Sequence, residues 1–397
     1  MMRWILLIGV LGLLELSGFE LSADWGKSRP VFQDSVDEVD GHKYASFREP
    51  VVVRTKSGRI VVGVQAGNRY SWPERSGQDL VVRFSDDEGE SWSDLIVAAE
   101  AGEFSCQCHG LVYDEEINRL FFLYTTYNWD YRAVGKGRGS KYTAPIYEEM
   151  AKSGKPFVTS YRVFSDDEGT SWSKPEDITK MVGRQAHFGA SEGRQLTMGK
   201  HKGRLLLAGS RMDLNERGEI TAKHVGVWRS DDHGQRWNLG KIPVPEEVNT
   251  PRNVSSEARV TELPDGTLLY NDRTRKTERQ LSWSENGGES WGELVKGIEL
   301  KASQCNGSLI TLRDGKGVLT ETVIFSIPSP GGRSDGYVYV SKDGGKTWPI
   351  VKNVVKGSFA YSALIQLDGG RVGLFFEEDH YRTISLIELE VEKLLDE

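Results

Sequence analysis

Three arginines, Arg48, Arg273 and Arg333, lie far apart in the chain, each beside a run that reads as the end of a β-strand. A guanidinium stays charged and its planar fork fits a carboxylate, so three that met in space would form an anion grip. Tyr361, Glu257 and the pair Glu377-Glu378 occupy comparable strand ends. A phenol beside a carboxylate can give up its proton and become a nucleophile. Taken singly, each residue is most simply a solvated arginine or a satisfied rim carboxylate. Their meaning depends on whether the fold brings them to one place.

The elements that would do so are repeated. Five segments follow the pattern Ser-x-Asp-x-Gly-x-Thr/Ser-Trp: SDDEGESW (85–92), SDDEGTSW (165–172), SDDHGQRW (230–237), SENGGESW (284–291) and SKDGGKTW (341–348). Arg236 replaces the hydroxyl residue in the third, and Asn286 the aspartate in the fourth. This is the chemistry of a tight turn. Ser and Asp side chains satisfy turn N–H groups, Gly supplies positive φ, and Trp packs beneath. The spacing is not that of a calcium loop, so the motif, the Asp-box, is a folding element. Between the boxes lie six pairs of β-like runs, at 51–64, 111–125, 196–210, 260–270, 309–326 and 364–376. A box follows each of the first five. The alternating run Thr383 to Val391 follows the sixth and is expected to close a ring with the N-terminal region. Six hairpins and five boxes predict an all-β fold, a single six-bladed β-propeller of four-stranded blades.

A propeller sorts residues by face. Those just before and just after each hairpin share one face, and the hairpin turns and Asp-boxes share the other. The rule sends Phe47-Arg48-Glu49-Pro50, Ser256-Glu257-Ala258-Arg259, Asn271-Asp272-Arg273, Arg333, Ala360-Tyr361-Ser362 and Glu377-Glu378 to one mouth. Asp130, Glu192 and Asp213 are expected on that face too.

From about residue 44 to the end, this ordered set resembles the sialidase family, the Asp-box (BNR-repeat) exo-α-sialidases of glycoside hydrolase family 33. Phe47-Arg48-Glu49-Pro50 is similar to the family's Arg-Ile-Pro motif, with Glu49 where isoleucine is usual. The resemblance implies that Arg48, Arg273 and Arg333 bind the substrate carboxylate and that Tyr361, in AYSAL, is the nucleophile. It also implies that Glu257 is the tyrosine's partner base and that Glu377, in LFFEED, orients Arg48. The segments around Cys305-Asn306-Gly307-Ser308-Leu309 and Phe325-Ser326-Ile327-Pro328 also match. The chemistry agrees: sialic acid carries a carboxylate on its anomeric carbon, which repels an anionic nucleophile but not a neutral phenol. The arginines are expected to lower the pKa of Tyr361. The implied reaction is retaining hydrolysis of terminal sialic acids through a tyrosyl intermediate.

Two departures stand out. The family's acid/base aspartate belongs on the loop from Gly67 to Gln78, where no aspartate occurs; Glu74 is nearest that place. Asp79 matches a structural position instead. In HFGASEGRQL (187–196), Glu192 and Arg194 stand where the family is glycine-rich and uncharged, and are expected to reshape the sugar pocket. The Tyr-, Lys- and Gly-rich insertion from Asn128 to Pro156 is a candidate lid or substrate wall.

The net charge of −8 over 397 residues, without a basic block, argues against nucleic acid or an anionic membrane as partner. Met-Met-Arg followed by the apolar run Trp4 to Leu14 reads as a signal peptide within residues 1–23, leaving 24–397 as one domain, secreted or periplasmic. Three cysteines make no complete disulfide framework, and seven histidines contain no His-x-x-x-His pair, so no metal or other cofactor is expected. The expected partners are sialylated glycans or other 2-keto acid sugars. A sialic-acid-binding propeller without turnover, and a propeller enzyme acting on another acidic sugar, are the alternatives.

Overall fold

Short runs of Val, Leu, Ile and Phe between turn residues form antiparallel strands buried on both faces. A computed structural model describes residues 24–68, 77–100, 102, 104–127, 158–183, 185–214, 220–244, 257–274 and 277–396. Within them the expected propeller is present, with each hairpin of the sequence as the first two strands of a blade. The innermost strands of five blades are Ser46–Arg54, Ser105–Asp114, Ala258–Glu262, Ser308–Arg313 and Ser362–Leu367. Blade 3 has a broken one, Gln185–His187 and Arg194–Gln195, both paired with Leu205–Leu214. Successive inner strands pack round a central axis, and the sixth returns to lie against the first.

The ring is closed as the sequence predicts. Arg29–Gln33 pairs antiparallel with Thr383–Glu390 and completes blade 6. Apolar side chains fill the spaces between blades; Val52, Val62 and Val64 of blade 1 pack against Ala363, Ile365 and Phe375 of blade 6. N- and C-terminal segments are thereby joined in one sheet, and the outer edge of Thr383–Glu390 is covered.

The Asp-boxes are turns held by their own side chains. In the first, Ser85 Oγ donates to Asp87 Oδ1 (2.8 Å) and accepts the Gly89 N–H (2.8 Å), while Asp87 Oδ1 accepts the Ser91 N–H (2.8 Å). Gly89 has φ +89°. In four of the boxes the Trp indole N–H donates to the glycine carbonyl at 3.0–3.2 Å. Asn286 works in place of aspartate because its Oδ1 still accepts the Ser290 N–H (2.9 Å) while its Nδ2 donates to Ser290 Oγ (2.8 Å).

The inner strands do not run straight to the face opposite the boxes. Register shifts fall between Arg48 and Val51 in blade 1 and between Gln107 and Gly110 in blade 2. Each contains a non-glycine residue in the left-handed region, Glu49 (φ +56°) and Cys108 (φ +53°); Ala190 (φ +44°) lies in the break of blade 3. Such bulges turn side chains out of the strand alternation.

The box interactions yield a stability prediction. Asp343 accepts Ser341 Oγ–H (2.7 Å) and the Lys346 and Thr347 N–H groups (3.1 and 2.9 Å) through Oδ1, and Thr347 Oγ–H (2.7 Å) through Oδ2. Asp343→Ala strips these donors of their acceptor and is expected to cost about 1–2 kcal/mol in urea unfolding. Asp343→Asn, which repeats the arrangement at Asn286, is expected to cost less than half as much.

Candidate active site

Residues from all six blades, at the ends of first and second strands, line one cavity of about 330 Å³. Arg48 and Glu49 come from blade 1, Gln107 and Cys108 from blade 2, and His187, Gly189 and Ala190 from blade 3. Glu257 and Arg273 come from blade 4, Arg333 from blade 5 and Tyr361 from blade 6. The three arginines, the tyrosine and its partner glutamate thus meet where the sorting rule sends them.

Tyr361 is fixed at both ends. Its hydroxyl donates to Glu257 Oε2 at 2.5 Å and accepts from Arg273 Nη1 at 2.8 Å. Arg273 Nη1 also forms an ion pair with Glu257 Oε2. At the backbone, Tyr361 N donates to Glu377 Oε2 (3.3 Å), and the same carboxylate's Oε1 accepts from Arg48 Nε and the Glu49 N–H, both at 2.8 Å. Arg48 and Glu377 are almost wholly buried, so their pairing is shielded from water. The guanidinium carbons of Arg333 and Arg48 lie 5.0 and 5.5 Å from the centre of the Tyr361 ring.

The charges are unevenly satisfied. Glu377 is committed to Arg48, and Glu257 to Arg273. Arg333 donates to the Tyr381 hydroxyl (2.9 Å) and has no ion pair among the described residues. It is the cation of the three left to meet an incoming anion. Burial pushes the carboxyl of Asp272, one residue before Arg273, above the usual carboxylate range.

With this geometry in place, similarity to known proteins can be stated. The BNR repeat-like domain matches residues 146–374. The chain belongs to that family. It is 28% identical over 366 residues to a sialidase of Micromonospora viridifaciens, covering 88% of this chain and 52% of that protein. It is 29% identical over 264 residues to the anhydrosialidase of the leech Macrobdella decora, covering 61% of this chain and 32% of that protein. The chain thus spans about half the length of the first relative and a third of the second. Among solved structures it resembles the Hadza microbial sialidase Hz136 (TM-score 0.74, 24% identity, 93% of this chain and 69% of that one). It also resembles the leech intramolecular trans-sialidase (TM-score 0.73, 17% identity, 93% and 71%). The sialidase resemblance read from the motifs is borne out.

Within this BNR repeat-like chain, several expectations are corrected. Burial, followed by the nearby negative charge of Glu257, raises the pKa of Tyr361 well above that of an ordinary phenol, although Arg273 and Arg333 each pull it down. It is therefore Glu257, not the phenol, that carries the negative charge. Glu192 does not face the cavity. It is buried on the axis, with Oε2 2.8 Å from Arg259 Nε, because the break in blade 3 turns it inward. Arg194 belongs to a cavity on the opposite face. Asp213 is held outside the cavity lining by Arg211 Nε (3.0 Å) and His224 Nε2 (2.7 Å). Asp79 accepts from the Tyr44 hydroxyl (2.9 Å), the structural position expected of it. Glu74, Asp130, the insertion from Asn128 to Pro156 and the leader within 1–23 lie outside the described residues.

Sequence reasoning passed over part of the wall. Gln107, Cys108, His187, Gly189 and Ala190 precede hairpins and so fall under the sorting rule, but their residue types carry no chemical signal that singles them out; Glu49 lies at the mouth as the rule predicts. Glu49 is held by three bonds besides its strained backbone. Its N–H goes to Glu377, its carbonyl accepts from His109 Nε2 (2.9 Å), and its carboxylate accepts from Gln65 Nε2 (3.1 Å). Burial drives His109 down to about 4, so the neutral ring donates through Nε2. Burial, reinforced by Lys223, likewise takes His187 down to about 3, leaving it neutral beside Cys108 (Nε2 to Sγ 3.9 Å). Tyr381, on the turn after the sixth hairpin, stacks under Arg48 at 4.1 Å while holding Arg333.

The electrostatics can be titrated. Burial alone would raise Glu257, but Arg273 and the hydrogen bond from Tyr361 bring it to about 2. Since the folded value lies below the ordinary 4.5, its stabilising contribution is present above that pH and is lost as pH falls toward 2. In Arg273→Met, burial acts without its main opponent, and the Glu257 carboxyl is expected to titrate above 4.5 in a carbon-detected NMR titration. A value still near 2 would show that Arg273 is not the cause.

Proposed function

We propose that the chain is a retaining exo-α-sialidase that removes terminal sialic acids, or related 2-keto acid sugars, from glycans. The observation that carries this reading is the contact of the Tyr361 hydroxyl with an ionised Glu257, beside three arginines that line the same cavity. Arg333, with Arg48 and Arg273, receives the sugar carboxylate through charge-assisted hydrogen bonds. That carboxylate lies on the anomeric carbon, so binding it brings the reacting centre to the phenol.

In the first step Tyr361 Oη bonds to the anomeric carbon and passes its proton to Glu257. The bond to the aglycone breaks, and the departing oxygen takes a proton from an acid, the role proposed for Glu74. The high proton affinity of Tyr361 fits this order. The phenol is neutral when the anionic sugar arrives, and its proton moves only as the bond forms. In the second step the Glu74 carboxylate, left by the first, takes a proton from water as that oxygen attacks the anomeric carbon from the side the aglycone left; the bond to Tyr361 Oη breaks, and the phenolate recovers its proton from Glu257. Two inversions give retention. The N-terminal run 1–23 is proposed to direct export, which would bring the enzyme to glycans outside the cell.

The leech relative is an intramolecular trans-sialidase, which raises a second outcome for the same intermediate: attack by a hydroxyl of the sugar itself instead of by water. Incubation with sialyllactose and product analysis separates the two. Free sialic acid marks hydrolysis, and an anhydro sugar marks internal transfer. Tyr361→Phe is expected to lower turnover by on the order of 10³-fold while leaving the urea midpoint nearly unchanged. Undiminished turnover in that variant overturns the tyrosyl mechanism, and saturable binding without any product identifies a lectin-like propeller.

A further inference from the structure

The break in the inner strand of blade 3 does more than shape the wall of the active cavity. It places Ser191–Glu192 on the axis, in parallel pairing with Gly110–Leu111 of blade 2, and sends the next charged residue, Arg194, toward the opposite face. Along the axis the charges do not balance. Glu192 is wholly buried against Arg259, which is itself wholly buried. Arg194, on the far side of Glu192, must share that one carboxylate and makes a single long hydrogen bond, from Nη2 to the Leu309 carbonyl (3.4 Å).

Below Arg194 the ends of the hairpins enclose a second cavity, of about 280 Å³. Arg313 lines it from blade 5 and donates through Nη1 to the Gly317 carbonyl (2.8 Å). Neither Arg194 nor Arg313 has an ion pair among the described residues. Two carboxylates also line the cavity, Glu115 and Glu262, and neither forms an ion pair with Arg194 or Arg313; Glu262 accepts from the Thr197 and Met198 N–H groups (2.8 and 2.9 Å) and the Thr197 hydroxyl (2.7 Å). The third arginine of the cavity, Arg54, is already paired with Glu88 and Asp368. Thr261, Thr311 and Gln195 add polar groups to the wall. Charge withdrawn from water is normally compensated by an opposite charge. Here two neighbouring guanidinium groups from different blades face one cavity, and among the described residues no carboxylate lies within ion-pair distance of either.

We propose that this cavity, at the end of the central axis opposite the active site, is a binding site for a small oxyanion, with Arg194 and Arg313 as its cationic clamp. The ligand class is a phosphate- or sulfate-sized dianion or the carboxylate of a small acid, the groups that guanidinium forks recognise. Such an anion would pair with both guanidinium groups and tie blades 3 and 5 together through it.

Orthophosphate is the probe, titrated into the full chain at constant ionic strength and followed by calorimetry and by the thermal midpoint. Arg333→Ala serves to disable the active-site grip. The expected result is that phosphate binds and stabilises the wild type and Arg333→Ala alike, while Arg313→Ala lowers the affinity at least tenfold. Arg194→Met is expected to do the same. Should that variant fail to fold, Arg313→Ala, which alters a residue at the rim, decides alone. Lactate in place of phosphate separates the two sources: tighter phosphate binding identifies an inorganic dianion site, and equal or tighter lactate binding a carboxylate site. A phosphate response that survives Arg313→Ala, or that vanishes in Arg333→Ala, overturns the proposal.

Discussion

The buried carboxylate of Glu377 accepts hydrogen bonds from Arg48 Nε, from the backbone N–H of Glu49 and from that of Tyr361. Arg48 and Glu49 belong to the first blade, Tyr361 and Glu377 to the last. One side chain therefore joins the two ends of the ring at the level of the cavity, while the pairing of Arg29–Gln33 with Thr383–Glu390 joins them through the sheet. A buried, unpaired glutamate or arginine would be costly, and together they fix each other's position. The nucleophile's backbone, one arginine of the grip and the strained turn at Glu49 are all placed by that same group.

Around this fixed point the cavity separates its charges by task. Arg48 is neutralised and rigid, Arg273 is engaged with Glu257 and the phenol, and Arg333 carries charge that no carboxylate within ion-pair distance answers among the described residues. Burial of these side chains strengthens each of these interactions. It also explains why Tyr361 keeps its proton despite two nearby arginines: burial and Glu257 together outweigh them. Arginine proximity by itself is a poor guide to phenol acidity when a carboxylate lies in hydrogen-bond contact.

The wall opposite the arginines owes its form to backbone irregularity. Glu49, Cys108 and Ala190, in three successive blades, all adopt positive φ close to the cavity. A regular strand would alternate its side chains between the two neighbouring blades and aim none along the axis. A bulge frees one residue from that alternation, at a cost of about 1–3 kcal/mol for a non-glycine residue held in the left-handed region. The polar contacts holding Glu49 in place, and the same register slip in blades 1 and 2, identify these as built features of the mouth.

By itself the sequence determined the repeat, and through it the ring. Six hairpins, five boxes and the closing strand are local patterns, set by turn chemistry and short-range periodicity, and they suffice to assign residues to one face or the other. That assignment brought Arg48, Glu257, Arg273, Arg333, Tyr361 and Glu377 together across more than three hundred residues of chain. Only the tertiary structure decided which carboxylate answers which arginine, which way the tyrosine's pKa moves, and that Glu192 lies buried on the axis while Arg194 reaches the far mouth. These depend on distances between blades and on burial, and a single-residue slip in a strand reverses a side chain's direction without leaving a local signature. The sorting rule could place Glu192 at the right end of its strand; the break in that strand then turned it inward.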